Sequence, residues 1–271
     1  MKICAIGGDA RMPHAAAALC EAGHEVTHTA YGEGPLSPEA LAVAEAVLLP
    51  YPISRDGVTL TAPASPLPVP LSSLFAMIPE GVPILGGRAD AAIRERAAGH
   101  RLFDYAEDEG FLGKNAAITA EGALSLLMAR LPSPLFETPC LVLGSGRLAK
   151  ATYDLLVGLH VPTAAAARNT AVRFADGRPP LPLAALPAEL GHYDVLINTV
   201  PVPLLTRSLL LRMRRGAILL ELSAAPGVLD TDACRAAGLE VVTAPALPGK
   251  YAPRGAGRAI AAAVLPILSS L

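Results

Sequence analysis

The sequence has no basic run. Its 22 Lys and Arg are offset by 24 Asp and Glu, and charged residues make up only 17% of 271 positions. A formal charge of −2 with no cationic stripe argues against nucleic acid or an anionic membrane surface as the main partner. No window reaches about 18 uninterrupted apolar residues, so no membrane span is expected. The opening MKICAIGGDA passes straight into a strand and a glycine turn, without the apolar region or cleavage site of a secretory signal. Cysteine is also sparse. Cys4, Cys20, Cys140 and Cys234 are scattered, with no CxxC pair and no nearby histidine pair, so neither zinc nor a redox motif is indicated. Unpaired thiols, of which Cys4 and Cys140 fit apolar strands, suit the reducing cytoplasm. The six histidines show no metal spacing and read as surface or helix-end residues, so no metal site is expected. None lies in the C-terminal loops where a hydroxyacid dehydrogenase would carry its proton relay. A G-x-S-x-G nucleophile elbow is missing as well.

What is present is a repeating pattern. Hydrophobic residues make up 52% of the chain, enough for one large or two modest cores. KICAIGG, HEVTHTAY, AEAVLLP, VPILGG and RLFDYAE read as short buried strands, with helices at MPHAAAALCEAG and ADAAIRERAAG between them. The proline-rich stretch 61–73, TAPASPLPVPLSS, reads as an exposed loop. In NAAITAEGALSLLMARL, Ala120, Ala123, Leu124, Leu127, Met128 and Leu131 fall on one helical stripe. A second strand–helix series then starts at CLVLGSG. Strands alternating with helices predict an α/β protein of two doubly wound parallel-sheet domains, the second a Rossmann dinucleotide-binding domain, joined by a long helix. The expected boundaries are 1–114 for a flavodoxin-like substrate domain, 115–131 for the linking helix and 132–253 for the Rossmann domain. A last helix, 254–271, packs back on the first. The cleft between two such domains is the natural ligand site.

The second glycine turn carries the clearest chemistry. Gly144, Ser145, Gly146, Arg147, Leu148 and Ala149 match G-x-G-x-x-[GA] between a strand and a helix. The first glycine permits the tight turn, and the second lets backbone N–H groups approach a diphosphate at the helix N-terminus. About 20 residues on, an NAD site usually carries Asp or Glu for the ribose hydroxyls. This chain has Arg168, then Asn169 and Thr170. A guanidinium cannot accept those hydroxyls but suits a phosphate, so the pattern predicts NADP in preference to NAD. Asn198, Thr199, Val200 and Pro201 end a later strand, where the nicotinamide ribose would lie.

The first turn places Asp9 and Arg11 in an apolar region. Two readings stay open: a local ion pair that caps the helix, or Arg11 as the clamp for a substrate carboxylate. Asn115 and Thr119, four apart on one helix face, and Glu121 start the linking helix. The loop from Ser223 to Gly227 and the loop with Lys250 each follow a strand, the side on which open α/β sheets bind ligands.

In order along the chain, IGGDAR (6–11), NAAITAEGAL (115–124), VLGSGRLA (142–149), ARN (167–169), DVLINTVP (194–201), LELSAAPG (220–227) and TAPALPGKYAPRGAG (243–257) resemble the A subunit of dipicolinate synthase from spore-forming bacteria. The resemblance implies oxidation of dihydrodipicolinate to dipicolinate with NADP⁺, partnership with a flavoprotein-like B subunit, and a place in the mother-cell cytoplasm during sporulation. It implies a small dicarboxylate substrate flanked by Arg11, Asn115, Thr119, Ser223, Gly227 and Lys250. Glu121 or Asp9, or water, would take the proton. Association with further copies of the chain stays open. The alternatives are another NADP-linked small-acid dehydrogenase and a nucleotide-binding scaffold for a flavoprotein. The chain departs from the pattern at 51–75, which is unusually proline-rich, and at Arg254-Gly255 before the AG pair.

Overall fold

A computed structural model describes residues 1–223 and 229–271. The chain divides into two compact units: residues 1–115 with 248–271, and residues 116–247.

In the first unit the elements run β1 (Lys2–Ile6), α1 (Arg11–Glu21), β2 (Glu25–Thr29), α2 (Pro38–Ala42), β3 (Ala46–Leu48), α3 (Leu71–Met77), β4 (Ile84–Gly86), α4 (Ala91–Arg96) and β5 (Leu102–Asp104). The strands form one parallel sheet in the order β2-β1-β3-β4-β5, the flavodoxin-like arrangement. Its inner strands are covered on both faces, so β1, β3 and β4 are runs of apolar residues and not an alternating pattern. Asp90 starts α4 by accepting the Ile93 N–H at 3.0 Å, the local reason that this helix begins there.

The segment 61–73 differs from an exposed loop at its end. Val69 and Leu71 are buried, and α3 begins at Leu71 directly after Pro70, whose φ of −64° leads into a helix start. The long helix α5 (Glu109–Met128) begins six residues before the expected start. Asp108 caps it by accepting the Phe111 N–H, and Phe111 packs edge-on against Tyr51 and Tyr105. Two glycines, Gly110 and Gly113, hide this first turn from a propensity reading. Ala120, Ala123, Leu124 and Leu127 are buried as their spacing predicts, but Met128 is 56% exposed because the helix stops there.

The second unit runs β6 (Cys140–Leu143), α6 (Arg147–Gly158), β7 (Thr163–Ala167), β8 (Leu181–Pro182), α7 (Leu186–Glu189), β9 (Val195–Asn198), α8 (Arg207–Leu210), β10 (Ile218–Glu221), α9 (Thr231–Ala237) and β11 (Glu240–Thr243). The parallel sheet order is β11-β10-β9-β6-β7-β8. Counted within this unit, that is the Rossmann order, with its topological switch between β6 and β9. Two apolar clusters cover the sheet's faces, one including Cys140, Val142, Tyr153 and Ile197, the other Leu141, Leu143, Leu196 and Leu219.

Two helices close the chain, α10 (Leu247–Tyr251) and α11 (Pro253–Ser269). Residues 248–253 lie with the first unit, not with the Rossmann domain in which the sequence reading placed them. The reason is local: a Cβ on Gly249 would stand 2.7 Å from Asp9 Oδ2, so α10 rests on the Asp9 carboxylate. The last helix lies along α1 so closely that a Cβ on Gly257 would stand 2.4 Å from the Arg11 carbonyl oxygen.

Candidate functional site

The second glycine turn sits at the switch point of the Rossmann sheet, between the ends of β6 and β9. Gly144 has φ +116°, and a Cβ there would lie 2.5 Å from Thr199 Oγ1. No other residue type meets both conditions. Thr199 in turn donates to the Leu143 carbonyl at 2.7 Å, tying the end of β9 to the end of β6. Gly146 is different: it stands before α6 with φ −75°, and nothing lies within 4 Å of its Cβ position. It opens onto a cavity of about 450 Å³ lined by residues 144–149, 166–169 and 199–202, with Leu183 and Leu204. Among the described residues no side chain caps α6, so the N–H groups of its first turn face this cavity side unclaimed.

Gly144, Ser145, Gly146, Arg147, Leu148, Arg168, Asn169, Thr199, Val200 and Pro201 all line this cavity. Arg168 is exposed at the end of β7, and among the described residues its guanidinium has no hydrogen bond or ion pair. Asn169 turns its own loop, accepting the Ala171 N–H at 3.0 Å through Oδ1. Thr170 is exposed and does not line the cavity; its carbonyl accepts from Arg173. The loop beyond is pinned to α6, where Tyr153 stacks on Phe174 with ring centres 4.1 Å apart and donates to Asp176 at 3.1 Å. Burial, and then the Asp176 carboxylate, push the Tyr153 phenol up to about 12. Such a site fits a dinucleotide: a bare helix N-terminus, a glycine face open to close approach, and an unclaimed cation at the end of the second strand.

Asn198 needs a correction. It is 1% exposed and does not line the cavity. Its Nδ2 donates to Glu221 Oε2 at 2.7 Å, and its Oδ1 accepts the Val200 N–H at 3.1 Å. Glu221 itself was missed by the sequence reading. It is 7% exposed and also accepts the Ser223 N–H at 2.6 Å. Burial raises its carboxyl above the ordinary range, opposed by the bonds from Asn198 and Ser223. A signal was available: VLIN and ILLE are apolar strands that each end on a polar residue.

At the first turn, Gly7 and Gly8 both have positive φ. Arg11 is 5% exposed and grips Asp9 with both arms of its fork, Nε to Oδ1 at 2.8 Å and Nη2 to Oδ2 at 2.9 Å. The same Nη2 reaches the Tyr51 carbonyl, and Asp9 Oδ1 also accepts the Arg11 N–H at 3.1 Å. This geometry favours the local pair over the substrate clamp. It also engages both oxygens of Asp9, which argues against Asp9 as a base. His28 is not a surface or helix-end histidine: it lies near the end of β2, bonds the Gly7 carbonyl at 2.8 Å and stacks on Tyr31. Burial lowers its pKa, partly offset by the Gly7 bond. Lys250 is exposed on α10 with no partner among the described residues, and Glu121 is exposed on α5. Asn115, Thr119 and Ser223 are half-buried and engaged. Gly227 lies outside the described residues.

These features define an α/β protein with the fold of nicotinamide-dependent dehydrogenases. A solved D-lactate dehydrogenase from Sporolactobacillus sp. superposes with a TM-score of 0.67 at 16% identity, covering 99% of this chain and 96% of that one. Within that class, the family is that of the dipicolinate synthase A subunit: residues 2–106 match the family model for its N-terminal domain. The corresponding A subunit of Bacillus subtilis (strain 168) is 26% identical over 193 residues. That alignment takes in 69% of this chain and 65% of the relative's length. The solved A chain of dipicolinate synthase from Bacillus subtilis has a TM-score of 0.84 at 23% identity, covering 100% of this chain and 96% of that one. Among the described residues no helix is long and apolar enough to cross a membrane.

Proposed function

We propose that this chain is the NADP-dependent component that oxidises dihydrodipicolinate to dipicolinate. The observation that carries the cofactor choice is the free Arg168 guanidinium at the cavity, in the position where an NAD site holds a carboxylate. Arg168 donates to the 2′-phosphate, and the N–H groups of the 144–147 turn and α6 hold the diphosphate. When bound, NADP⁺ supplies the hydride acceptor, and a neighbouring ring carbon releases a proton as the ring becomes aromatic. The reaction itself is drawn from the family likeness.

On the substrate side, Lys250 is the cation we assign to a carboxylate, because Arg11 is already held by Asp9. Asn115, Thr119, Ser223 and Gly227 remain candidate donors. For the proton, Glu121 has free lone pairs where Asp9 has both oxygens engaged; water is the other acceptor. The family likeness also suggests partnership with a flavoprotein-like B subunit and a mother-cell setting during sporulation. A second reading, oxidation of another small acid with NAD(P), draws on the fold shared with D-lactate dehydrogenase.

The test is to incubate the purified chain with dihydrodipicolinate and either NADP⁺ or NAD⁺, with and without the B subunit. Equal amounts of NADPH and dipicolinate are expected. No product under any condition refutes the proposal, and turnover of a hydroxyacid panel in its place supports the second reading.

A further inference from the structure

Asn198 and Glu221 close two neighbouring strands that are otherwise wholly apolar and buried, and the parallel register sets them opposite each other. Neither reaches the cavity surface. Yet the Asn198 amide touches both ends of a chain of bonds that runs from the core to the cavity wall. Its Nδ2 gives one hydrogen to Glu221 Oε2 at 2.7 Å, and its Oδ1 takes the Val200 N–H at 3.1 Å. Val200 and its neighbours Thr199 and Pro201 form the wall beside the glycine turn.

An amide can face its partners in two ways, since its oxygen accepts and its nitrogen donates. Flipped, Asn198 would set an N–H₂ against the Val200 N–H and an oxygen against the carboxylate, so both contacts would fail. An ionised Glu221 has only acceptors to offer and therefore selects the orientation that binds Val200. We infer that Glu221 is a positioning residue for the dinucleotide pocket, acting through Asn198 to hold the 199–202 wall in place. The inference rests on the reading of this pocket as the NADP site. Glu221 needs the Asn198 and Ser223 bonds together, because a buried carboxylate with an empty lone pair is costly.

The geometry offers a reciprocal exchange. In E221Q the new amide cannot serve both neighbours: its oxygen meets the Ser223 N–H and its nitrogen then meets the Asn198 nitrogen. In N198D two carboxylates meet at one contact. In the double variant N198D/E221Q the polarity simply reverses. The introduced glutamine accepts from Ser223 and donates to the introduced aspartate, whose other oxygen still accepts the Val200 N–H. Every atom keeps nearly its original position.

The experiment is a fluorescence titration of NADPH into the full chain and these three variants, with a thermal melt of each. Both single variants should bind NADPH about tenfold more weakly while still fully folded at the assay temperature. The exchange variant should return to within about threefold of the parent. Parent-like affinity in the single variants overturns the inference and leaves the pair as a core hydrogen bond only. Should the single variants not fold, the exchange variant decides alone: folded but tenfold weaker, it overturns the inference. Failure of the parent chain to bind either NADPH or NADH refutes the NADP-site reading itself, and the two failures are thus distinct.

Discussion

Arg168→Asp reverses the charge at the point where the pocket is proposed to read the 2′-phosphate. Arg168 is exposed, so its attraction for a phosphate is screened by water. At about 4 Å in water a pair of unit charges is worth roughly 1 kcal/mol, and a phosphate monoester carries about −1.5 to −2. With hydrogen bonds to the planar guanidinium included, loss of the arginine should cost about 2 kcal/mol, or about 30-fold in affinity. Replacement by Asp adds repulsion, partly screened at physiological salt, for a total on the order of 100-fold. NAD lacks the phosphate and should lose no more than about threefold. Because among the described residues Arg168 has no internal partner, the melting temperature should hardly move. The assay is parallel fluorescence titration with NADPH and NADH, repeated at raised salt, where the NADPH difference should shrink. Equal losses for the two dinucleotides would refute the assignment, and so would a preference for NADH in the unaltered chain.

The two glycines of the turn should part company under substitution. Gly144→Ala meets Thr199 Oγ1 and a forbidden φ, so it should lower stability and abolish dinucleotide binding. Gly146→Ala faces open space and should leave the melting temperature within about 2 °C while weakening NADPH binding at least tenfold, on the order expected for a Cβ at a diphosphate. Tyr153→Phe keeps the stack on Phe174 but loses the bond to Asp176. It should cost about 1 kcal/mol, a fall of about 2–4 °C by calorimetry, and no change in melting would contradict the anchoring role. Cys4 and Cys140 are buried thiols pushed up to about 11 and about 12 by desolvation, Cys234 is raised for the same reason, and Cys20 is exposed. A thiol reagent at neutral pH should therefore modify Cys20 alone in the folded chain, and all four after denaturation.

Much of the second unit was legible because its signals are local. The turn GSGRLA, the apolar strand before it and the helix face after it lie within about 20 residues, and Arg168 follows at the spacing set by the fold. The start of α5 was not legible, since a cap from Asp108 and the packing of Phe111 outweigh two glycines. Asp9 and Arg11 showed that they could pair or bind a ligand, and only burial and the Tyr51 carbonyl distinguish the two. The tie between Asn198 and Glu221 spans 23 positions and exists only once β9 and β10 are in register. Non-local contacts of this kind decide which polar residue touches a ligand and which one merely holds another in place.

A crystal structure with NADP⁺ bound tests the central claim most directly. The diphosphate should lie over the Gly144–Gly146 turn at the start of α6, with the 2′-phosphate within hydrogen-bond distance of the Arg168 guanidinium. A dinucleotide bound away from this cavity, or one whose 2′-phosphate points to solvent clear of Arg168, would contradict it.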